Sequence, residues 1–297
     1  MTRTAVKSGF CADRVVVVTG AGQGLGRAHA LEFARHGARL VLNDAAGTVE
    51  DVAAEITGNG GEAVAVTADA SEWEAASALV ATAVERYGRI DTLVNNAGIN
   101  RDRMLATMSE AEWDDVVRVN LKGHFAPLRH AVEWWRTEAK AGRRVAARVV
   151  NTSSGAGLMG SVGQGNYAAS KAGIAALTQV AAAELARYGV VVNAIAPSAR
   201  TPMTETVFAE RMAAPASGFD AMDPSNVSGL VVWLGSDAAR EVTGRVFEVE
   251  GGSVSLADGW RHGPPAERGR RWEPEELFPV VAGLLADAEP PAPVYGA

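Results

Sequence analysis

Hydrophobic and polar positions along this chain alternate in blocks. Residues 14–20, RVVVVTG, form a β-branched run closed by Gly20. Residues 25–37, LGRAHALEFARHG, then carry apolar positions at helical spacing up to Gly37. The alternation continues with strand-like runs at 38–44, 62–69, 90–98, 147–154, 190–198 and 244–252. Helical stretches at 48–61, 71–88, 109–139 and 166–189 separate most of them. At the head of the 71–88 stretch, Ser71 and Glu74 have the spacing of a capping box. Continuous apolar strands divided by helices predict a parallel sheet covered on both faces. The expected fold class is α/β, a doubly wound, seven-stranded parallel sheet of Rossmann type.

Beyond Gly252 the pattern changes. Residues 261–297 hold much of the proline together with Arg261, Arg268, Arg270 and Arg271. Glu273 to Ala288 predicts one amphipathic helix, whose Leu277, Phe278, Val281, Leu284 and Leu285 need burial. We therefore divide the chain into a catalytic domain, 1–252, and a C-terminal extension, 253–297, packed on that domain or on a neighbouring subunit. Burial of Trp260 and Trp272 is expected on the same ground. The arginines either hold the phosphates of a coenzyme A thioester or pair with carboxylates at a subunit contact.

Composition narrows the function classes. Of 297 residues, 47% are hydrophobic and 21% charged, which permits a sizeable core. The net charge of -7 argues against a nucleic-acid binder. Cys11 is the only cysteine, so no intrachain disulfide forms, in keeping with a reducing compartment. No run reaches the roughly 18 apolar residues of a membrane span. The opening MTRTAVKSGFCADR lacks the apolar centre of a signal peptide. A cytoplasmic protein without membrane contact is expected, and no motif suggests a metal.

The chemistry lies in short stretches. Residues 19–26, TGAGQGLG, follow a strand and open a helix. Gly20, Gly24 and Gly26 let backbone approach a pyrophosphate, and the helix N-terminus attracts the anion; a tight strand-to-helix turn is the plain alternative. Asp44 ends the second strand, where a carboxylate accepts hydrogen bonds from the ribose hydroxyls of NAD and repels the extra phosphate of NADP. Gln23 and Ala45 offer no base to offset that repulsion, although Arg27 stands close in sequence. Asn96, Ala97 and Gly98 of NNAG suit close approach to a ribose or a simple loop. Asp69 either bonds an adenine amino group or caps a helix. Tyr167 and Lys171, four apart on a helix, are neighbours. They form a surface pair or a proton-transfer device in which the ammonium favours the phenolate. Ser154 lies thirteen residues before Tyr167, across a flexible glycine-rich return, GAGLMGSVGQG.

Taken together, TGxxxGxG, NNAG, the serine before YxxxK and the asparagine of VNLKG resemble the short-chain dehydrogenase/reductase family over residues 14–252. The resemblance implies Tyr167 as general acid/base, Lys171 as its activator and ribose ligand, Ser154 on the substrate oxygen and Asn120 anchoring a relay water. It also implies an NAD site built from Gly20, Gln23, Gly24, Leu25, Gly26, Asp44, Asp69, Ala70, Asn96, Ala97, Gly98, Tyr167, Lys171, Pro197 and Thr201. LVLND, NRDRM, SVGQGNY and APSARTPMTETV look like the (3R)-hydroxyacyl-CoA dehydrogenase part of multifunctional enzyme type 2 and its stand-alone actinobacterial relatives. Here Asn120 replaces that enzyme's histidine, and Pro197-Ser198 the family's usual Pro-Gly.

The expected activity is NAD-dependent interconversion of a secondary alcohol and a ketone, with a small-molecule substrate such as a 3-hydroxyacyl-CoA. The alternatives are a hydroxysteroid or small-carbonyl dehydrogenase and, in another class, a non-catalytic nucleotide sensor. Residues 203–226 predict a lid whose Phe208, Met212, Phe219 and Met222 face an apolar substrate or the core. The alanines of the 167–188 helix (Ala172, Ala175, Ala176, Ala182 and Ala183), with Trp134 and Trp135, suggest helix packing between subunits. The resemblance implies a homo-oligomer, a tetramer.

Overall fold

The computed structural model describes residues 9–205, 209–257, 259–289 and 292–296. The first eight residues of the N-terminal stretch, and Phe208, lie outside them. In chain order the elements of the first half are β1 (Val15–Thr19), α1 (Gly24–Arg35), β2 (Arg39–Asp44), α2 (Thr48–Gly58), β3 (Glu62–Thr67), α3 (Trp73–Tyr87) and β4 (Thr92–Asn95). Next come α4 (Glu110–Val116), α5 (Gly123–Lys140), β5 (Ala147–Thr152), α6 (Gly155–Met159), α7 (Gly165–Leu185) and β6 (Val190–Ser198). The chain closes with α8 (Pro202–Glu205), α9 (Ala209–Met212), α10 (Ser225–Leu234), β7 (Val246–Glu250), β8 (Ser253–Leu256) and α11 (Leu277–Asp287).

The strands form one sheet in the order β3-β2-β1-β4-β5-β6-β7-β8. The seven expected strands are all present and parallel. An eighth, β8, runs antiparallel to β7 through pairs such as Val249↔Val254. It was missed because SVSL follows a two-glycine turn and alternates too briefly to register as a strand. The sheet thus continues past Gly252.

Both faces are covered, as the buried strands demand. On one side Phe33, Leu40, Leu42, Ile56, Val231 and Leu234 join α1, α2 and α10 to the sheet. On the other Leu79, Leu93, Trp135, Val149 and Leu185 do the same for α3, α5 and α7. Trp135 is therefore core of its own protomer, and its indole N–H donates to the Ile90 carbonyl at 2.8 Å. This corrects its expected place at a subunit contact. Ala182 likewise is buried, whereas Ala172, Ala176 and Ala183 lie on the exposed face of α7.

Two local expectations change, and one cap is new. Ser71 does not cap α3: the helix starts at Trp73 after Glu72, without a side-chain cap. The Ser71 hydroxyl instead donates to Asp69 at 2.7 Å. A capping box forms at Ser109 and Glu112, ahead of α4. The glycine-rich return after Ser154 contains the short helix α6.

In the extension, Arg268 and Arg270 both pair with Glu276 at 2.6 Å, within the tail itself. Arg268 also stacks over Trp272, 4.5 Å from the ring centre. Trp272 is half-buried, but Trp260 is fully exposed and Phe278 is 83% exposed. No residue of α11 is buried. Among the described residues nothing buries this helix, contrary to the burial its sequence demands. No helix among the described residues is long and apolar enough to cross a membrane.

Candidate active site

The strand order reverses at β1, with β2 on one side and β4 on the other. Loops leaving the strand ends diverge there and open a crevice, the usual ligand position in an open α/β sheet. A cleft of about 470 Å³ lies at this point. Its lining includes Gly20, Gln23, Gly24, Leu25, Asp44, Asp69, Ala70, Asn96, Ala97 and Gly98. Ser154, Tyr167, Lys171, Pro197 and Thr201 line it too, with Thr201 against the cradle: a Cβ on Gly24 would stand 3.3 Å from its side chain.

The glycine turn has the geometry of a phosphate cradle. Gly20 and Gly24 take positive φ values of 65° and 54°, which L side chains rarely adopt. Gly26 does not line the cleft; it packs behind the turn. A Cβ there would lie 1.9 Å from the Gly20 carbonyl oxygen, so only glycine allows α1 to begin this close to β1. The start of α1 carries no side-chain cap, which leaves its first-turn N–H groups to a ligand. Asn96 ties NNAG to the turn, its amide donating to the carbonyls of Thr19 at 3.1 Å and Gly20 at 3.2 Å.

Asp44 stands at the end of β2 and lines the cleft. Its carboxylate accepts from the N–H of Gly22 and of Ala46, both at 3.0 Å. Arg27 turns away and pairs with Glu55 of α2 at 2.6 Å, so it does not neutralise Asp44. Asp69 is held by Ser71 and by Arg118 at 2.6 Å. Arg118 was not anticipated: an arginine on the polar face of a helix gives no sequence signal. These residues fit a dinucleotide: a glycine cradle, an uncapped helix start and a carboxylate with no base beside it.

The catalytic candidates converge from three elements. Ser154 follows β5, Tyr167 and Lys171 come from the first turns of α7, and Asn120 sits in a π-helical turn, Val117–Lys122, that joins α4 to α5. π-turns commonly mark functional positions. Asn120 is buried behind the cleft rather than lining it. Its Oδ1 accepts from Ile99 N–H at 2.8 Å, and its Nδ2 donates to the Ile99 carbonyl at 3.0 Å. The side chain is thereby committed to clamping the loop after β4.

Lys171 is 3% exposed. β4 ends opposite Asn151, so Thr152 has no strand partner on that side. Lys171 Nζ donates to the Thr152 carbonyl at 2.7 Å. The Thr152 N–H donates to His124 Nε2 at 3.3 Å, which assigns the ring proton of His124 to Nδ1. Burial holds His124 neutral, its pKa well below the usual histidine range. The Lys171 ammonium lies 5.6 Å from the centre of the Tyr167 ring. Gly98 leaves room for this group, since a Cβ there would be 3.2 Å from Asn120 Oδ1 and 3.5 Å from Lys171 Nζ.

Burial dominates the titration of the pair. It lowers Lys171 to about 7. It raises Tyr167 above the ordinary phenol value, with hydrogen bonding to Ser154 pulling the other way.

The lysine shift has a consequence for stability. The native pKa of about 7 lies below the ordinary 10.5, so between these values the unfolded chain holds a proton that the folded one lacks. Folding is then favoured as pH rises through this window, by at most about 1.4 kcal/mol per pH unit. Lys171→Met should remove that slope. Urea unfolding of both ligand-free proteins between pH 7 and 10 checks it; parallel pH dependences would refute the assignment.

The short chain dehydrogenase family matches residues 14–212. Hydroxyacyl-CoA dehydrogenase ChsB1 of Mycobacterium tuberculosis is 47% identical over 290 residues, covering 93% of this chain and 90% of that protein. The mouse peroxisomal multifunctional enzyme type 2 is 41% identical across 81% of this chain, which spans 32% of the enzyme. The crystal structure of a short chain dehydrogenase from Mycobacterium avium superposes with a TM-score of 0.90 at 60% identity, covering 97% of this chain and all of the other. With its cleft at the strand-order reversal, its glycine cradle and these relatives, the chain belongs to the short-chain dehydrogenase/reductase family.

Proposed function

We propose that this protein is an NAD-dependent oxidoreductase that interconverts a secondary alcohol and a ketone, with a 3-hydroxyacyl-CoA as substrate. The observation that carries the reading is the continuity of one cleft from the cradle and Asp44 to Ser154, Tyr167 and Lys171. The substrate class is supported by the name of the M. tuberculosis relative, a hydroxyacyl-CoA dehydrogenase. NAD, when bound, would supply the hydride acceptor for oxidation; the protein supplies position and takes up the alcohol proton.

Ser154 holds the substrate oxygen and Tyr167 moves its proton. A phenol raised by burial is protonated near neutral pH, ready to donate to a carbonyl oxygen during reduction. For alcohol oxidation the phenol must first lose that proton. Oxidation should therefore quicken as pH rises, and reduction should slow.

Residues 1–252 form the catalytic unit in this reading, with 253–297 an extension that completes it. Assembly into a tetramer is supported by the uncovered apolar side of α11 and by the small exposed alanines of α7. A cytoplasmic location is supported by the single buried cysteine.

NAD reduction across a panel of 3-hydroxyacyl-CoA thioesters, hydroxysteroids and small alcohols tests the activity. Tyr167→Phe should lower turnover by about 10²–10⁴-fold while the protein still binds NAD by calorimetry. Wild-type turnover in this variant would reject Tyr167 as the acid/base.

Asp44→Ala should raise the KM for NAD and lower that for NADP. Steady-state kinetics with each coenzyme decide it, and a wild-type preference for NADP would overturn the choice of NAD.

Light scattering at micromolar concentration should give the mass of four chains. A mass of 30.9 kDa, that of one chain, would refute assembly.

A further inference from the structure

Arg118, Val119 and Asn120 are consecutive, yet they face two ways. Arg118 and Val119 line the cleft, whereas Asn120 is fully buried behind it. The π-helical turn Val117–Lys122 that carries them makes this split possible. Its ladder runs from i to i+5, a rare geometry that occurs in single turns and often at functional positions. This turn is held from both sides.

The outer hold is ionic. Arg118 Nη1 donates to Asp69 Oδ2 and to Ser71 Oγ, each at 2.6 Å. Ser71 Oγ in turn donates to Asp69 Oδ1 at 2.7 Å. Glu72 and Asp115 stand farther off, at 3.7 and 3.6 Å from the same guanidinium. The residue that follows the turn rests on Ser71 as well: a Cβ on Gly123 would be 3.7 Å from the Ser71 side chain.

The inner hold is the Asn120 amide. Besides clamping the N–H and the carbonyl of Ile99, it donates from Nδ2 to Ser170 Oγ at 3.3 Å. Ser170 Oγ donates to the Tyr167 carbonyl at 2.9 Å. Leu121 packs on Gly173 of α7, where a Cβ would lie 3.2 Å away. One unbroken set of contacts thus runs from Asp69, after β3, to the helix turn that carries Tyr167. In the sheet order β3 and β5 lie on opposite sides of the β1–β4 pair, so these contacts cross the width of the crevice.

A ligand over the outer hold changes its strength. The side chains of Arg118 and Asp69 are 38% and 36% exposed. Ion pairs open to water contribute little, because solvent screens them. A base bound against Asp69 and Val119 would displace that water, and the same pair is stronger in a lower dielectric. We propose that Arg118 is a positioning residue: when the adenine part of a dinucleotide covers its pair with Asp69, the π-turn tightens and the Asn120 clamp on Ile99 becomes firmer. The proposal rests on the reading of this cleft as a dinucleotide site in which Asp69 accepts from the adenine amino group.

Hydrogen exchange at the Ile99 amide reads the clamp without turnover. Adenosine monophosphate is the probe, because it carries the adenine and no nicotinamide. Calorimetry follows its binding, and exchange is measured at saturation in the wild type, Arg118→Met and Arg118→Lys. The nucleotide should slow Ile99 exchange roughly 5-fold in the wild type, the lower range of coupling between two sites. In Arg118→Met the ligand-free amide should exchange faster, and the nucleotide should leave it nearly unchanged. Arg118→Lys, which keeps the cation, should retain most of the slowing. The Ala194 amide, bonded to the Arg245 carbonyl at 2.8 Å within the sheet, should respond in none of the three and shows that the fold is intact. Equal slowing in the wild type and Arg118→Met is direct shielding by the ligand and overturns the coupling. So does a nucleotide that binds the wild type and leaves Ile99 unmoved. In turnover Arg118→Met should lower kcat; a higher KM for NAD with kcat untouched makes Arg118 a binding residue only and overturns the positioning role. If neither the nucleotide nor NAD binds the wild type, the dinucleotide reading falls and this one with it.

Discussion

The buried Lys171 ammonium, donating to a backbone carbonyl instead of a carboxylate, is the constraint on which the rest of the site depends. Thr152 lies one residue beyond the last β4–β5 pair, so its N–H and C=O must find partners other than a strand. Lys171 and His124 supply them from α7 and α5. The part of the cleft that holds Tyr167 and Lys171 is therefore built at the point where a sheet ladder runs out. Because burial alone lowers Lys171 to about 7, its charge responds to pH and to any ligand that enters beside it. A carboxylate partner would have locked that charge in place.

The glycine cradle depends on closeness. Gly26 against the Gly20 carbonyl, and the Asn96 amide across the same turn, bring β1, α1 and the loop after β4 close together. A bound pyrophosphate would meet backbone there, which suits an anion in a chain of net charge -7. The nearby arginines are spent on local carboxylates, Arg27 on Glu55 and Arg118 on Asp69. In the proposed reading, selectivity for NAD falls to Asp44, whose carboxylate is oriented by two backbone N–H groups.

The C-terminal extension divides into parts with different demands. β8 adds an antiparallel edge to the sheet. The arginine cluster is satisfied internally by Glu276. The tip returns to the loop after β5, while α11 has no buried residue among those described. Lid residues behave unevenly as well: Met212 and Met222 are buried and Phe219 is exposed. Arg200 holds that region in place through Asp220 and the Met212 carbonyl.

Much of this was legible in the sequence, for local reasons. Strands buried on both faces read as unbroken apolar runs, and glycines at fixed offsets encode a turn that only glycine adopts. Spacing of four on a helix places Tyr167 beside Lys171 whatever surrounds them. What tertiary structure alone decided concerns partners distant along the chain. Ser71 has a capping spacing, yet Asp69 and Arg118 claim its hydroxyl. Trp135 looks like a contact residue until Ile90 accepts its N–H. The direction of the Tyr167 shift follows from desolvation inside the cleft, which no sequence interval records. The glycines after Ser154 spell freedom in one dimension; in three they are the space into which Tyr295 fits, 140 positions further along the chain.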